Sequence, residues 1–347
     1  MTAEVSLVDR IWYGRSHWRW PLMPFSGLFW LLSTARRKLY DNGIWHAVDI
    51  GQPVLVVGNI TVGGTGKTPV TLWLAERLKD YGMRPGIVSR GYRGRLGPQP
   101  VRVMPDSDPA IVGDEALLME RRQICPVVVH PDRVAAARLL LQLDCNVIIA
   151  DDGLQHFRLE RLHEIAVLDG TRGFGNGCLL PAGPLRESVA RLSSVDRIFI
   201  QQETERNLMP AGFPDNVPKA NFELVPAGVL NLVDSRRVSL EHFRGRAVHA
   251  VAAIGNPGRF FRLLQKHGID VIPHAHRDHA KLTASDLRFD DGLDVLMTEK
   301  DAVKVRGAAT NNCWYVKVDV QFTDGDTLEW LEEVYREMSG REATIGA

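Results

Sequence analysis

Short apolar runs of strand length alternate with stretches of helical period along most of the chain. Val54-Leu55-Val56-Val57-Gly58-Asn59-Ile60 reads as a buried parallel strand, and Val70, Leu74 and Leu78 mark one face of a helix over 68–80. Further strands are predicted at 86–88, 126–129, 147–150, 165–168 and 197–200, with a helix near 132–143. Strands alternating with helices imply a parallel sheet covered on both faces. Pro-rich and polar residues from about Pro210 to Pro226 predict a boundary. A second α/β pattern follows, with strands at 247–253, 270–273 and 294–297 and a helix at 259–266. Leu328, Leu331, Val334 and Tyr335 give a last helix over 327–338 that packs back onto a lobe.

The beginning of the chain has a different character. Leu22, Phe25, Phe29, Leu32, Ala35 and Leu39 follow three- and four-residue steps, and Leu28, Trp30 and Leu31 widen the stripe ahead of Arg36-Arg37-Lys38. Residues 1–40 hold six basic side chains against two acidic ones, and five of the eight tryptophans fall within the first 45 residues. Trp favours a membrane-water boundary. The apolar run from Leu28 to Leu32 is far shorter than the ~20 residues needed to cross a bilayer, so the pattern predicts an amphipathic helix lying in a membrane surface. The alternative is a helix packed on its own domain. No secretory signal is expected.

Composition is that of an ordinary globular enzyme: 347 residues, 45% apolar and 24% charged. Lys plus Arg equal Asp plus Glu at 42 each, so no global field favours nucleic acid, and no nucleic-acid partner is expected. Cys125, Cys145, Cys178 and Cys313 have no CxxC spacing and read as reduced packing residues.

Candidate chemistry begins between the first strand and its helix, at Thr61-Val62-Gly63-Gly64-Thr65-Gly66-Lys67-Thr68. Glycines there let successive amide N–H groups turn inward onto phosphate oxygens, and the helix start adds its positive dipole end. Lys67 suits the β- and γ-phosphates of a nucleotide, the Thr68 hydroxyl suits Mg²⁺, and Pro69 fits a first helical turn. Thr61 stands where the general pattern has Gly. Asp151-Asp152 follows the strand at 147–150, where a magnesium ion beside a phosphate loop takes an oxygen ligand. Asp152 is favoured over Asp151, and a turn or cap is the alternative. Gly113-Asp114-Glu115 opens a helix over 116–122, for which capping alone accounts for Asp114.

In the second lobe, His274-Ala275-His276-Arg277-Asp278-His279 matches no zinc spacing and suits acid/base work across an interlobe cleft, with a solvated turn as the alternative. Two loops rich in anion-binding groups, 89–94 and 173–187, offer Arg90, Tyr92, Asn176 and Arg186 to a phosphorylated sugar.

Taken together these motifs resemble the tetraacyldisaccharide 4′-kinase family, the lipid A 4′-kinases of Gram-negative bacteria. The resemblance covers residues 58–69, Ser89-Arg90-Gly91-Tyr92, Gly113-Asp114-Glu115, Asp151-Asp152-Gly153-Leu154-Gln155-His156, Gly175-Asn176-Gly177 with 180–187, and Thr298-Glu299-Lys300-Asp301-Ala302-Val303-Lys304. Thr61 is the form this family carries. The resemblance implies phosphorylation by ATP of the 4′-hydroxyl of a tetraacyl disaccharide 1-phosphate, giving lipid IVA, by a peripheral or monotopic enzyme on the cytoplasmic face of the inner membrane. It also implies Asp114 as catalytic base with His279 as partner, Lys67 on the nucleotide, and Thr68, Asp152, Asp151 and Glu115 around Mg²⁺. The family's acid-His-His element is Asp278-His279-Ala280 here, without the second His.

The fold expected is α/β: a P-loop NTPase-like parallel sheet with helices on both faces, a second smaller α/β lobe and an N-terminal amphipathic helix. Its divisions are a membrane-facing segment 1–46, a P-loop kinase domain 47–220, a second α/β domain 221–326 and a C-terminal helix and tail 327–347. A nucleotide switch or maturation ATPase of the deviant phosphate-loop class is disfavoured, because Val62 stands where that class needs a second Lys. Thr298-Glu299-Lys300-Asp301 likewise places its Lys one residue late for GTP selectivity. A membrane scaffold with a structural nucleotide site is the third reading.

Overall fold

The computed structural model describes residues 7–14, 16–202, 212–278, 280–305 and 309–345. In chain order its elements are α1 (Leu7–Trp12), α2 (Arg19–Asp41), β1 (Val54–Gly58), α3 (Lys67–Asp80), β2 (Pro85–Ser89), β3 (Val101–Arg102), α4 (Pro109–Val112), α5 (Asp114–Arg121), β4 (Val127–Val129), α6 (Arg133–Gln142), β5 (Val147–Asp151), β6 (His163–Asp169) and β7 (Arg197–Gln201). There follow β8 (Lys219–Asn231), β9 (Arg237–Val238), β10 (Ala247–Ala252), α7 (Pro257–Lys266), β11 (Asp270–Ala275), β12 (Asp294–Thr298), α8 (Glu299–Ala302), β13 (Cys313–Phe322) and α9 (Asp326–Ile345).

All the strands join in one sheet of order β11-β10-β12-β13-β8-β7-β6-β1-β5-β2-β4-β3, with β9 beside β8. Pairing is parallel except where β3 meets β4 and where β8 meets β9 and β13. Alternation along β1 explains the layering. Leu55 and Val57 face a core built with Leu74 and Leu78 of α3, Leu117 of α5 and Val334 of α9. Val54 and Val56 face the opposite core, with Val134 and Leu140 of α6. Around β10, Ala250 packs with Phe260 and Leu264 of α7, and Val251 with Leu287, Ala302 and Val305 on the other side. The P-loop NTPase-like sheet with helices on both faces, and the smaller α/β lobe, are therefore present.

The join between the lobes differs from the Pro-rich boundary that composition predicts. Residues 203–211 lie outside the described residues, and from Lys219 the chain is a 13-residue strand that includes Pro226. Pro226 faces Val318 at a register shift between Lys317 and Val318. Proline lacks an N–H and is tolerated in a sheet where the ladder is already interrupted. β8 pairs with β7 near its start and with β13 along most of its length, so these two strands carry the sheet from one lobe into the other.

Helix α2 is inverted relative to an ordinary surface helix. The side chain it buries is Ser26, whose hydroxyl donates to the Leu179 carbonyl at 2.8 Å and accepts from the Ala182 amide at 3.1 Å. Trp20, Phe25, Leu28, Trp30, Leu31 and Leu32 are all exposed, Leu32 at 61%. The amphipathic period is as expected, but the face that meets the protein is the small polar one. Among the described residues no helix is long and apolar enough to cross a membrane.

Candidate active site

Strand β1 lies between β5 and β6, and the order of the strands reverses there, so a crevice opens at their carboxyl ends. Loop 59–66 leaves β1 at that edge. Asn59 is fully buried and donates to the Thr65 hydroxyl at 3.2 Å, while the Val62 amide donates to the Pro184 carbonyl at 2.8 Å, fixing both limbs of the loop. Gly66 ends the loop at φ 84°, and a Cβ there would lie 2.9 Å from Gln201 Oε1 and 3.1 Å from the Phe222 ring. Only glycine meets both demands. Lys67 and Thr68 then begin α3.

Two carboxylates at the end of β5 are held in opposite states. Asp151 is buried and accepts from the Thr71 and Ser89 hydroxyls, each at 3.3 Å. Burial, with the charges of Glu115 and Asp152, pushes it up to about 7 against the pull of Lys67 and Arg133. Asp152 turns away at φ 49° toward cations, with Lys67 Nζ at 3.5 Å and one Arg186 nitrogen at 2.8 and 3.0 Å. Burial opposes its ionisation, but Lys67 and Arg186 outweigh burial and bring it down to about 2. At neutral pH a firm negative charge therefore sits beside Lys67, while its neighbour is much the harder of the two to ionise.

The second lobe closes over this edge. Lys300 donates to Glu115 Oε1 at 2.7 Å, and Lys304 Nζ stands 3.9 Å from Asp114 Oδ2. Glu115 is held below the usual carboxylate range: burial opposes this, and Lys300 and Lys67 prevail. Lys300 is raised by Glu115, Asp278 and Asp114 despite its burial, so carboxylates from both lobes converge on one ammonium. Arg259 of α7 reaches Gln201 at 2.6 Å and Asp169 at 2.8 Å, and Arg172 donates to the Gly255 carbonyl at 3.1 Å. A Cβ on Gly255 would come within 3.7 Å of the Gly64 amide nitrogen, which puts this loop directly over the phosphate loop.

Between the lobes lies a cavity of about 1110 Å³. Its wall includes Val62 to Thr68, Asp151, Asp152 and Glu115, and it runs on past Arg90, Tyr92 and Arg186 to Phe29, Leu32 and Arg36 of α2. The profile of the tetraacyldisaccharide-1-P 4′-kinase family matches residues 18–336. The chain belongs to this family. The tetraacyldisaccharide 4′-kinase of Nitrosococcus oceani is 47% identical over 327 residues, covering 92% of each chain. That of Alkalilimnicola ehrlichii is 48% identical over 311 residues, covering 90% of this chain and 91% of the relative. Among solved structures, the "apo" form of LpxK from Aquifex aeolicus in complex with ATP superposes with a TM-score of 0.77. It is 31% identical and covers 92% of this chain and 99% of that one.

Measured against the family reading, most of the sequence-derived residues converge on the cavity. Thr61 is buried behind the loop, bridged to Leu185, rather than on the wall. Asp114 is held beside Lys304 and is not on the wall that Glu115 lines. His279 lies outside the described residues, although Asp278 before it lines the cavity and its carbonyl accepts from Arg93 at 3.4 Å. Asn176, expected among the substrate-binding residues, is engaged within its own loop. Its amide donates to the Ile11 and Ala182 carbonyls and its oxygen accepts from the Cys178 amide, so it braces the loop against α1 and does not face the cavity. Sequence reasoning gave no role to Lys300, Glu299 or Lys304, though their motif was in view, and missed Arg122 altogether. Gln155, whose motif was also in view, donates to the Asn59 carbonyl and to Glu187, a loop-holding role that the motif alone does not show.

Proposed function

We propose that this chain phosphorylates the 4′-hydroxyl of a tetraacyl disaccharide 1-phosphate with ATP, giving lipid IVA in lipid A biosynthesis. The observation that carries this is a continuous cavity, which joins Lys67 and Thr68 at one end to Phe29 and Leu32 of the exposed apolar helix at the other. A kinase with a soluble acceptor has no use for that second wall.

In this reading loop 61–68 grips the triphosphate through main-chain amides, and Lys67 neutralises it. Asp114 receives the proton of the sugar hydroxyl, with His279 orienting it, and Lys300 keeps the neighbouring Glu115 charged. Positioning and charge neutralisation supply most of the rate. Arg90, Tyr92 and Arg186 line the cavity, and their donors suit the phosphorylated sugar. Mg²⁺ fits the donor set: a threonine hydroxyl at Thr68 and hard carboxylates at Asp152 and Glu115, both held ionised. When bound, Mg²⁺ draws charge from the β- and γ-phosphates.

We also propose that α2 seats the enzyme on the cytoplasmic face of the bacterial inner membrane. Burying each exposed Leu, Phe or Trp contributes about 1.5–3 kcal/mol or more, and Arg36, Arg37 and Lys38 beside them suit an anionic surface. On this reading the lipid acceptor enters along α2 without leaving the bilayer completely.

Asp114→Ala tests the base. Turnover should fall about 100-fold or more with the KM for ATP unchanged, whereas an equal loss of ATP binding removes Asp114 from that role.

A further inference from the structure

We propose that Arg122 is a positioning residue for the transfer step: it locks α5 to α8, and so fixes where Asp114 stands relative to the second lobe. This rests on the assignment of Asp114 as the base.

Helix α5 begins at Asp114, and Arg122 follows its last residue. Eight residues of helix make a rod about 12 Å long, so holding the far end fixes the direction of the near one. Arg122 donates to both oxygens of Glu299, each at 2.6 Å, to Asp319 at 2.6 Å and to the Val318 carbonyl at 2.7 Å. Four of its five N–H groups are thereby used, and its side chain is only 7% exposed. Although it borders the cavity, it has little left to offer a ligand.

The partners give the contact its meaning. Glu299 and Lys300 are adjacent on α8 yet meet opposite ends of α5, at Arg122 and Glu115. Lys304, a turn further on, meets Asp114. The short helix α8 and the residues just after it thus meet α5 and its C-terminal Arg122 at three charged points. Val318 and Asp319 belong to β13, at the register shift through which the sheet passes between lobes. Arg122 therefore grips the second lobe and the joint at once. Asp301 ties α8 to Thr298 and Ala253 within its own lobe; without Arg122 the contact of α8 with α5 keeps only its two lysine pairs, which set the surroundings of the base. A buried ion pair of this kind adds little net stability, whereas its bidentate geometry defines orientation closely.

Removing one partner strands a buried charge and risks misfolding, so the decisive variant is the double Arg122→Met/Glu299→Gln, compared with both single variants and with Asp114→Ala. Acceptor-dependent transfer, the KM for ATP and the melting temperature are read for each. The double variant should melt near the wild type and keep its KM for ATP, while kcat falls about 10- to 100-fold, the scale of a misplacement of about 1 Å. The single and double effects on kcat should be far from additive. If Asp114→Ala abolishes turnover and the double variant keeps wild-type kcat, the positioning role is wrong and the base stands. A loss of ATP binding that matches the loss of kcat overturns it as well. If Asp114→Ala retains turnover, the base assignment falls and the positioning role falls with it.

Discussion

One guanidinium nitrogen of Arg186 donates to both carboxylate oxygens of Asp152, at 2.8 and 3.0 Å, while Lys67 approaches the same carboxylate to 3.5 Å. Asp152 is therefore shared between two cations. If Arg186 is removed, Lys67 becomes its nearest cation and is drawn from the phosphates. Arg186→Met should raise the KM for ATP roughly 10-fold, the worth of one charge-assisted hydrogen bond, as measured by initial rates at saturating acceptor. An unchanged KM would place Arg186 outside the nucleotide's electrostatics.

Gly66→Ala tests the loop geometry. The position needs a positive φ and has no room beside Gln201 and Phe222. The substitution should cost about 1–3 kcal/mol of stability and weaken nucleotide binding, read by thermal melting with and without ATP. At Gly64 a Cβ meets nothing within 4 Å, so Gly64→Ala should melt closer to the wild type.

His163 gives the stability a pH dependence. Burial disfavours its charged form, but Asp196 and Glu337 prevail and raise its pKa above the ordinary histidine value. Glu337 lies on α9, 3.0 Å from the ring. With the folded pKa above the unfolded one, the stabilisation is complete below about pH 6.5 and is lost as pH rises through the folded value. Urea midpoints of wild type and His163→Gln should differ most near pH 6 and converge in alkaline buffer. A gap that widens with pH would reverse the sign.

Leu28 and Leu31 are each 56% exposed on α2. Leu28→Glu/Leu31→Glu should leave folding within about 0.5 kcal/mol per site and weaken sedimentation with anionic vesicles about 10-fold or more. Protein that unfolds instead would mean that this face packs on the chain itself.

The phosphate loop was legible because its chemistry is local: glycines at fixed steps between an apolar run and a helix. The sheet was legible for the same reason, since Val54 to Val57 and Val147 to Ala150 declare burial on both faces. The period of α2 was visible too. Its orientation was not, because a hydrophobic stripe does not say whether protein or lipid lies against it, and the answer came from Ser26. Strand β8 was hidden by Pro226, which is permitted there by a partner strand some 90 residues later. Arg122 and Glu299 are 177 positions apart, and nothing local to either marks the other. Asn176 was ambiguous because an asparagine in a glycine-rich loop fits a sugar and a loop brace equally well.

The central claim is that one cavity brings a nucleotide's terminal phosphate to a lipid-borne sugar. The most direct measurement is transfer of the γ-phosphoryl group of labelled ATP, with tetraacyl disaccharide 1-phosphate in mixed micelles and without it. The account predicts label on the 4′ position of the disaccharide and negligible ATP consumption when the acceptor is left out. Steady release of inorganic phosphate regardless of acceptor, with no labelled lipid, would contradict it.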